Sequence, residues 1–363
     1  RLPAAAQALL DAEYANMSAC VRCGLCLTSC PTYVVTGHES EGPRGRIALM
    51  RALVEGRVPL TDDLIDREEN CLACDACTAV CPAGVQMEPL QVAFRASVEV
   101  SRDAAAVPAR GIVARALRAA VFGWLFPSMP RFRAMVWLVW FYRASGLRAL
   151  ARTLGIVRLI GMRDADDLLP AFSPDFLVPT GQSFPADALA SDRAFVALFA
   201  GCVMSTAFGS TAHATVRVLN KAGCEVTCPA GQGCCGALHA HGGDRDGARS
   251  LAREVIQAFE PGGDAPVIVN AAGCGAMMKE YGHLLADDPA WAGRARAFSA
   301  RVRDVSEYLV TRELPEIGRI SNEDVVVAYQ DACHLAHAQR VTSAPRDLIR
   351  RIPGVTVRDL PDK

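Results

Sequence analysis

Two copies of one cysteine pattern, Cys-x2-Cys-x2-Cys-x3-Cys-Pro, constrain this chain more than any other feature of its sequence. The first copy holds Cys20, Cys23, Cys26 and Cys30 before Pro31, and the second holds Cys71, Cys74, Cys77 and Cys81 before Pro82. Such spacing suits cubane [4Fe–4S] clusters held through thiolates. Three cysteines on a tight loop reach three corners of a cube. The fourth lies too far along the chain to close it, and normally ligates the other cluster. The expected ligand sets are therefore Cys20, Cys23, Cys26 and Cys81 for cluster 1, and Cys71, Cys74, Cys77 and Cys30 for cluster 2. Zinc sites use two ligand pairs with a long spacer, so they do not explain triplets followed by Cys-Pro. A chain built on two such clusters moves electrons.

The remaining composition narrows the setting. A hydrophobic content of 51% with 21% charged residues describes a folded globular chain. A net charge of −1 gives no electrostatic case for nucleic acid. Fifteen cysteines, an odd number with metal-type spacing, argue against a secreted disulfide framework. Iron–sulfur thiolates favour the reducing cytoplasm. The start, Arg1-Leu2-Pro3, shows no signal peptide and lacks a Met, which reads as a fragment. No stretch reaches the roughly 18–20 apolar residues of a spanning helix.

Between the two runs, Ile47, Met50, Leu53 and Val54 share one helical face, with Pro43 to start the helix and Gly56 to stop it. A second helix is expected from about Asp62 to Glu69. This spacer favours an α-helical dicluster domain over the compact β type. From Arg102 to Arg158 stand ten arginines against one acid, Asp103, together with Trp124, Trp137 and Trp140. Leu147, Leu150, Leu154 and Val157 form an apolar stripe there. Cationic aromatic helices of this kind lie at membrane surfaces. The simpler reading is packing between domains, with arginines near the clusters' negative charge. Residues 162–192 read as a linker, and beyond them the pattern turns α/β, with strands at Phe195–Ala200, near Val226, at Val267–Val269 and at Val325–Ala328.

A second cysteine system accompanies those strands. Cys202, the pair Cys234-Cys235 before Gly236, and Cys274 each follow a strand or a turn after one. In open α/β sheets, ligands collect beyond the carboxyl ends of the strands, so these four cysteines are a candidate metal or third cluster site. The simpler reading is buried thiols, to which Cys224 and Cys228 are assigned. Cys333 follows its own strand as Cys202 does, which reads as an internal repeat. The same offset would carry a second Cys-Cys-Gly just past Lys363, so the second repeat reads as cut short. The expected fold is α+β and multidomain. It comprises an α-helical dicluster [4Fe–4S] ferredoxin-type domain (1–101), a basic helical connector and linker (102–192), a first cysteine-rich α/β repeat (193–320) and the start of a second (321–363).

Several segments taken together resemble the iron–sulfur subunit family of glycolate dehydrogenase, also called glycolate oxidase. They are Cys20-Val-Arg-Cys23-Gly-Leu-Cys26 through Cys30-Pro-Thr-Tyr33, Glu41-Gly-Pro-Arg-Gly-Arg46, Cys71-Leu-Ala-Cys74 to Cys81-Pro-Ala-Gly84, and Cys234-Cys-Gly-Ala237. Gly273-Cys-Gly-Ala276, Lys279-Glu-Tyr-Gly282 and His337-Ala-Gln339 are the most diagnostic. The resemblance implies a complex whose flavoprotein subunits carry FAD and oxidise glycolate to glyoxylate. This chain would pass the electrons on to a quinone or similar membrane acceptor, from the cytoplasm or peripherally on the cytoplasmic face of the inner membrane. The cysteine-rich repeats (Cys-Cys-Gly) are also similar to those through which heterodisulfide reductase holds a non-cubane cluster. Met277 stands here in place of that pattern's last cysteine.

Arg22, Arg44 and Arg46 are candidates for tuning cluster potential, with a solvated helix face as the plainer reading. His213, His241, His283, His334 and His337 are candidate cluster neighbours or quinone contacts, with a structural role as the plainer reading of each. No dinucleotide fingerprint or acid–base constellation appears, so the chemistry on carbon belongs to a partner. Rival readings are the iron–sulfur subunit of a glycerol-3-phosphate or lactate dehydrogenase, a disulfide or heterodisulfide reductase acting at Cys-Cys-Gly, and a scaffold whose clusters only stabilise the fold.

Overall fold

Helices alone build the first part of the chain, and they do so from the expected signals. The computed structural model describes residues 2–169, 174–187 and 193–360. Pieces of the expected linker (170–173 and 188–192) and the last three residues lie outside them. Pro43 opens the helix Pro43–Val54, and Gly56 leaves it in a left-handed conformation (φ 68°). Thr61 caps the helix Asp62–Glu69 by accepting from the Leu64 N–H at 3.3 Å, with Asp62 and Asp63 in its first turn. The helix Met87–Asp103 lays Leu90, Phe94 and Val98 onto Met50, Leu53 and Ile65 from these two helices, and onto Leu10 and Met17 from the N-terminal ones. Among the described residues no strand precedes Ser183, so the dicluster part is helical.

The connector differs from its expectation. Its helix Met129–Ala144 packs only one face, where Met129, Phe132 and Val136 cover Cys202, Cys234 and Leu251. The other side leaves Trp137, Leu138 and Phe141 exposed, and Trp124 is exposed on the preceding helical segment Ala119–Leu125. Of the predicted stripe only Val157 is buried; Leu147, Leu150 and Leu154 face outward. The arginines are drawn to carboxylates brought in from elsewhere, not to the cysteine loops. Arg102, Arg110 and Arg118 gather on Glu99, and Arg148 and Arg152 on Asp166. No single described helix is long and apolar enough to cross a membrane, and the apolar pair 112–125 and 129–144 is bent by 116°.

The α/β part contains a five-stranded sheet of β1 (Ser183–Phe184), β2 (Ala194–Phe199), β3 (Cys224–Thr227), β4 (Val267–Val269) and β5 (Val302–Asp304) in the order β1-β3-β2-β4-β5. Only the β1–β3 pair is antiparallel. β1 lies inside the segment read as linker, too short to carry a sequence signal. Alternate residues of β2 enter opposite layers. Ala197 and Phe199 pack under the helix Arg245–Phe259, while Val196 and Leu198 pack under Gly209–Lys221. A strand buried on both faces reads as a continuous apolar run, which is why β2 was legible. A separate parallel pair, β6 (Val325–Tyr329) and β7 (Val355–Asp359), is joined through the helix Ser343–Arg350. The molecule is α+β and multidomain.

Candidate iron–sulfur centres

Both ferredoxin-type runs use backbone conformations that L-residues avoid. Arg22 (φ 58°) and Gly24 (φ 85°) flank Cys23, and Ala73 (φ 49°) and Asp75 (φ 58°) flank Cys74 in the same way. Each left-handed non-glycine residue costs about 1–2 kcal/mol. What it gives is a nest, in which successive N–H groups turn to one side and favour an anion. The N–H groups of Ala73 and Ala76 hydrogen-bond the sulfurs of Cys71 and Cys74.

Two neighbouring cavities collect the eight cysteines. One, of about 440 Å³ counting its mouth, is lined by Cys20, Cys23, Cys26, Cys77 and Cys81, with Arg22 and Arg44. The other, of about 350 Å³, is lined by Cys30, Cys71, Cys74 and Cys77, with Arg46. Cys81 thus stands with the first run and Cys30 with the second. Burial pushes the thiols of Cys26, Cys71, Cys74 and Cys77 up, and Asp75 adds to the effect at Cys77. Thiolates there need nearby positive charge. Among the described residues no three His, Cys, Asp or Glu side chains close on a single metal ion. Sulfurs spread around a cavity, with N–H groups turned toward them, fit the thiolate corners of a cluster.

Of the three arginines singled out, Arg46 is the buried one, 1% exposed. It pairs with Glu41 at 3.1 Å and donates to the Arg67 carbonyl and the Thr32 hydroxyl, which lies 3.2 Å from Cys30 Sγ. Arg44 instead pairs with exposed Glu39 and donates to the Arg22 carbonyl at 3.1 Å.

The second cysteine system converges at the sheet's switch point. From β2 the chain crosses to β3 on one side and then to β4 on the other, and Cys202, Cys234-Cys235 and Cys274 follow these three strands in turn. Cys202, Cys234 and Cys235 are buried. Cys202 hydrogen-bonds Cys234, Cys234 hydrogen-bonds Cys235, and Cys235 donates to Cys274 at 3.2 Å. The bond from Cys202 pulls the Cys234 thiol down, but its own bond to Cys235 and burial outweigh it and push it up to about 12. Met277 belongs to the buried cluster that includes Cys235 and against which Cys274 packs. Four thiols in a row suit a thiolate-held centre, whereas a thioether is a weak donor. Cys224 and Cys228 lie apart, in the layer under Gly209–Lys221.

Sequence reading missed the contact between the two cysteine systems. His334 donates to the Ala73 carbonyl at 2.9 Å, its ring stacks on His241 at 5.8 Å, and His241 lies 3.2 Å from Glu88. Arg95 bridges the carbonyls of Cys71 (2.6 Å) and His241 (3.0 Å). Cys333, read as a repeat of Cys202, is exposed and lies near Cys74. These pairings span long stretches of chain and leave no local pattern. Of the other three candidate histidines, His213 pairs with Asp175 at 3.5 Å, His283 pairs with Glu13 at 2.8 Å, and burial lowers His337.

A helical dicluster domain joined to a mostly parallel sheet with thiols at its switch point defines an iron–sulfur electron-transfer protein. Family models agree. A 4Fe-4S dicluster domain matches residues 16–85, the linker region of the glycolate oxidase iron-sulfur subunit matches 113–169, and a cysteine-rich domain matches 196–279. The chain is 37% identical to the probable glycolate oxidase iron-sulfur subunit of Bacillus subtilis (strain 168), over 94% of this chain and 76% of that one. It is 33% identical to the glycolate oxidase iron-sulfur subunit of Escherichia coli (strain K12), over 95% and 77%. Lactate utilization protein A of Exiguobacterium sp. (strain ATCC BAA-1283 / AT1b) is 35% identical over 45% of this chain and 66% of that one. No solved structure matches. The chain belongs to the family of glycolate oxidase iron–sulfur subunits.

Proposed function

We propose that this chain carries electrons in a complex whose flavoprotein partner oxidises glycolate to glyoxylate at FAD, and that the electrons leave toward a quinone or similar membrane acceptor. The ligand sets in this reading are Cys20, Cys23, Cys26 and Cys81 for one [4Fe–4S] cluster, and Cys71, Cys74, Cys77 and Cys30 for the other. Cys202, Cys234, Cys235 and Cys274 are the candidates for a third centre. Residues 1–101, 102–192, 193–320 and 321–363 are taken as the working units. When bound, each cluster supplies a one-electron relay, so a pair allows a two-electron donor to discharge in steps.

The observation that carries the reading is the exchange of fourth cysteines between two adjoining cavities, with Cys77 lining both. The chain's own residues set the environment. The nests around Cys23 and Cys74 orient N–H groups, and buried Arg46 stabilises added negative charge beside Cys30 and Cys71. Peripheral attachment is supported by the exposed Trp137, Leu138 and Phe141 on one helix face, and by exposed Trp124 before it, in an arginine-rich segment.

The test is anaerobic EPR on the chain purified with its flavoprotein, before and after glycolate. Reduced-cluster signals with glycolate are expected. Signals with dithionite alone would keep the electron-transfer role and point to another donor, such as lactate or glycerol 3-phosphate.

A further inference from the structure

A cavity of roughly 810 Å³, counting its mouth, lies between the N-terminal helix Ala4–Asp11, the start of Met87–Asp103, and the helices Ala272–Lys279 and Tyr281–Leu284. Space within the cavity proper amounts to about 210 Å³, room for a single ring and not for a large ligand. Leu9, Val92, Met277 and Leu284 give it apolar walls, and Glu13, Glu88, Glu280 and His283 are among its polar groups. His283 pairs with Glu13 at 2.8 Å, with its ring about half exposed. Glu88, 5% exposed, bonds His241, which stacks on the His334 that braces the Cys71–Cys74 loop. Met277, on another wall, belongs to the buried cluster that includes Cys235 and against which Cys274 packs. The cavity therefore reaches between the two thiol systems.

Its charge selects the ligand class. Four carboxylates line it (the fourth is Asp287) against one guanidinium, Arg245, which disfavours an anion such as glycolate itself. Burial pushes the Glu280 carboxyl up, and the bond to Glu13 raises His283, so both hold protons at higher pH than usual. Leu9 and Arg245 also line a larger cleft walled by Arg115 and Phe122 of the connector, which links the cavity to the segment with the exposed apolar face.

We propose that this cavity binds the ring of a neutral quinone, with His283, held by Glu13, and Glu280 as proton donors to its two carbonyl oxygens. This rests on the reading that electrons leave toward a quinone. The ring takes two electrons, delivered by the chain's electron-transfer role, and two protons. Both carbonyl π bonds open, two O–H bonds form, and a hydroquinone leaves. His283, through its exposed side, and Glu280, which is partly exposed, recover their protons from solvent.

The test uses the cluster-loaded chain with its flavoprotein partner. A soluble short-chain quinone is titrated by equilibrium dialysis, and quinone and ferricyanide reduction are followed separately. Ala12 is exposed on the cavity wall, so Ala12→Trp fills space without disturbing the core. Ala12→Trp is expected to weaken quinone binding about ten-fold or more, which is 1.4 kcal/mol, with ferricyanide reduction unchanged. His283→Phe is expected to bind quinone but reduce it more slowly. Wild-type binding and quinone turnover in Ala12→Trp would overturn the cavity assignment and leave the acceptor reading standing. A wild-type complex that reduces ferricyanide but neither binds nor reduces quinone would overturn both.

Discussion

The imidazole of His334 donates to the carbonyl oxygen of Ala73 at 2.9 Å, across 261 residues of chain. Ala73 holds its loop in the left-handed region between Cys71 and Cys74. The first turn after β6 therefore braces the second cysteine loop from a different domain. His334→Phe should shift the midpoint potential of one EPR-active centre and leave the other in place, as hydrogen bonding near a cluster tunes it. His334→Gln, which keeps a donor, should restore much of the wild-type value. Redox titration followed by EPR checks this, and equal shifts in both centres would contradict it.

The φ of 49° at Ala73 yields a second prediction. A β-branched side chain resists that conformation, whereas glycine adopts it freely. Ala73→Val should lose about half of the iron held by the two ferredoxin-type runs, and Ala73→Gly should retain all of it. Iron and sulfide counts on the purified variants decide the matter.

Local signals made much of this legible. The cysteine spacing, Pro43 with Gly56, and the apolar run of β2 each lie in contiguous sequence and act through short-range geometry. The strands β1, β5 and β7 were missed: β1 has two residues, and Val302-Arg303-Asp304 and Val355–Asp359 mix charges into their runs where β4 is purely apolar. The connector misled for a different reason. Leu147, Leu150 and Leu154 do form a stripe, but periodicity says which residues share a face and not whether anything covers it. The bracing of Cys71 by Arg95 and of Ala73 by His334 depends on how domains meet, which no local pattern encodes.

Arg46 and Glu41 form a buried pair, and removing one partner strands the other. Arg46→Met should destabilise the chain by about 3–5 kcal/mol, while Arg44→Met, which breaks the exposed pair with Glu39, should change stability little. Urea denaturation of the two variants measures the contrast. The double variant Arg46→Met/Glu41→Gln should recover part of the loss.

Glu13 and His283 couple the N-terminal helices to the cysteine-rich part. Burial pushes Glu13 up, but the bond and charge of His283, joined by the Asn16 amide and Arg245, together outweigh it and hold the carboxyl low; the bond to Glu13 raises His283, while Arg245 and Glu280 nearby act on it in opposite senses. The carboxylate's contribution is complete above its ordinary 4.5 and is lost as pH falls through its lower folded value. The imidazolium's is complete below 6.5 and is lost as pH rises through its higher folded value. The stability gap between wild type and His283→Gln should thus be widest between about pH 4.5 and 6.5 and narrow toward pH 9. Urea midpoints across that range test it, and a gap that widens with pH would refute the pairing.

The outward face of the connector should bind anionic lipid. Replacing Trp137, Leu138 and Phe141 together by Ser removes exposed apolar groups that support no core. Sedimentation with anionic vesicles should show weaker binding for this variant, with the iron content intact.

The exchange of fourth cysteines is tested most directly by counting iron and acid-labile sulfide in paired serine variants. Cys23→Ser with Cys81→Ser should lose one cluster, no more than either change alone. Cys23→Ser with Cys30→Ser should lose both. The reverse outcome, with Cys23 and Cys30 counting as one centre and Cys23 and Cys81 as two, would contradict the ligand sets on which the account rests.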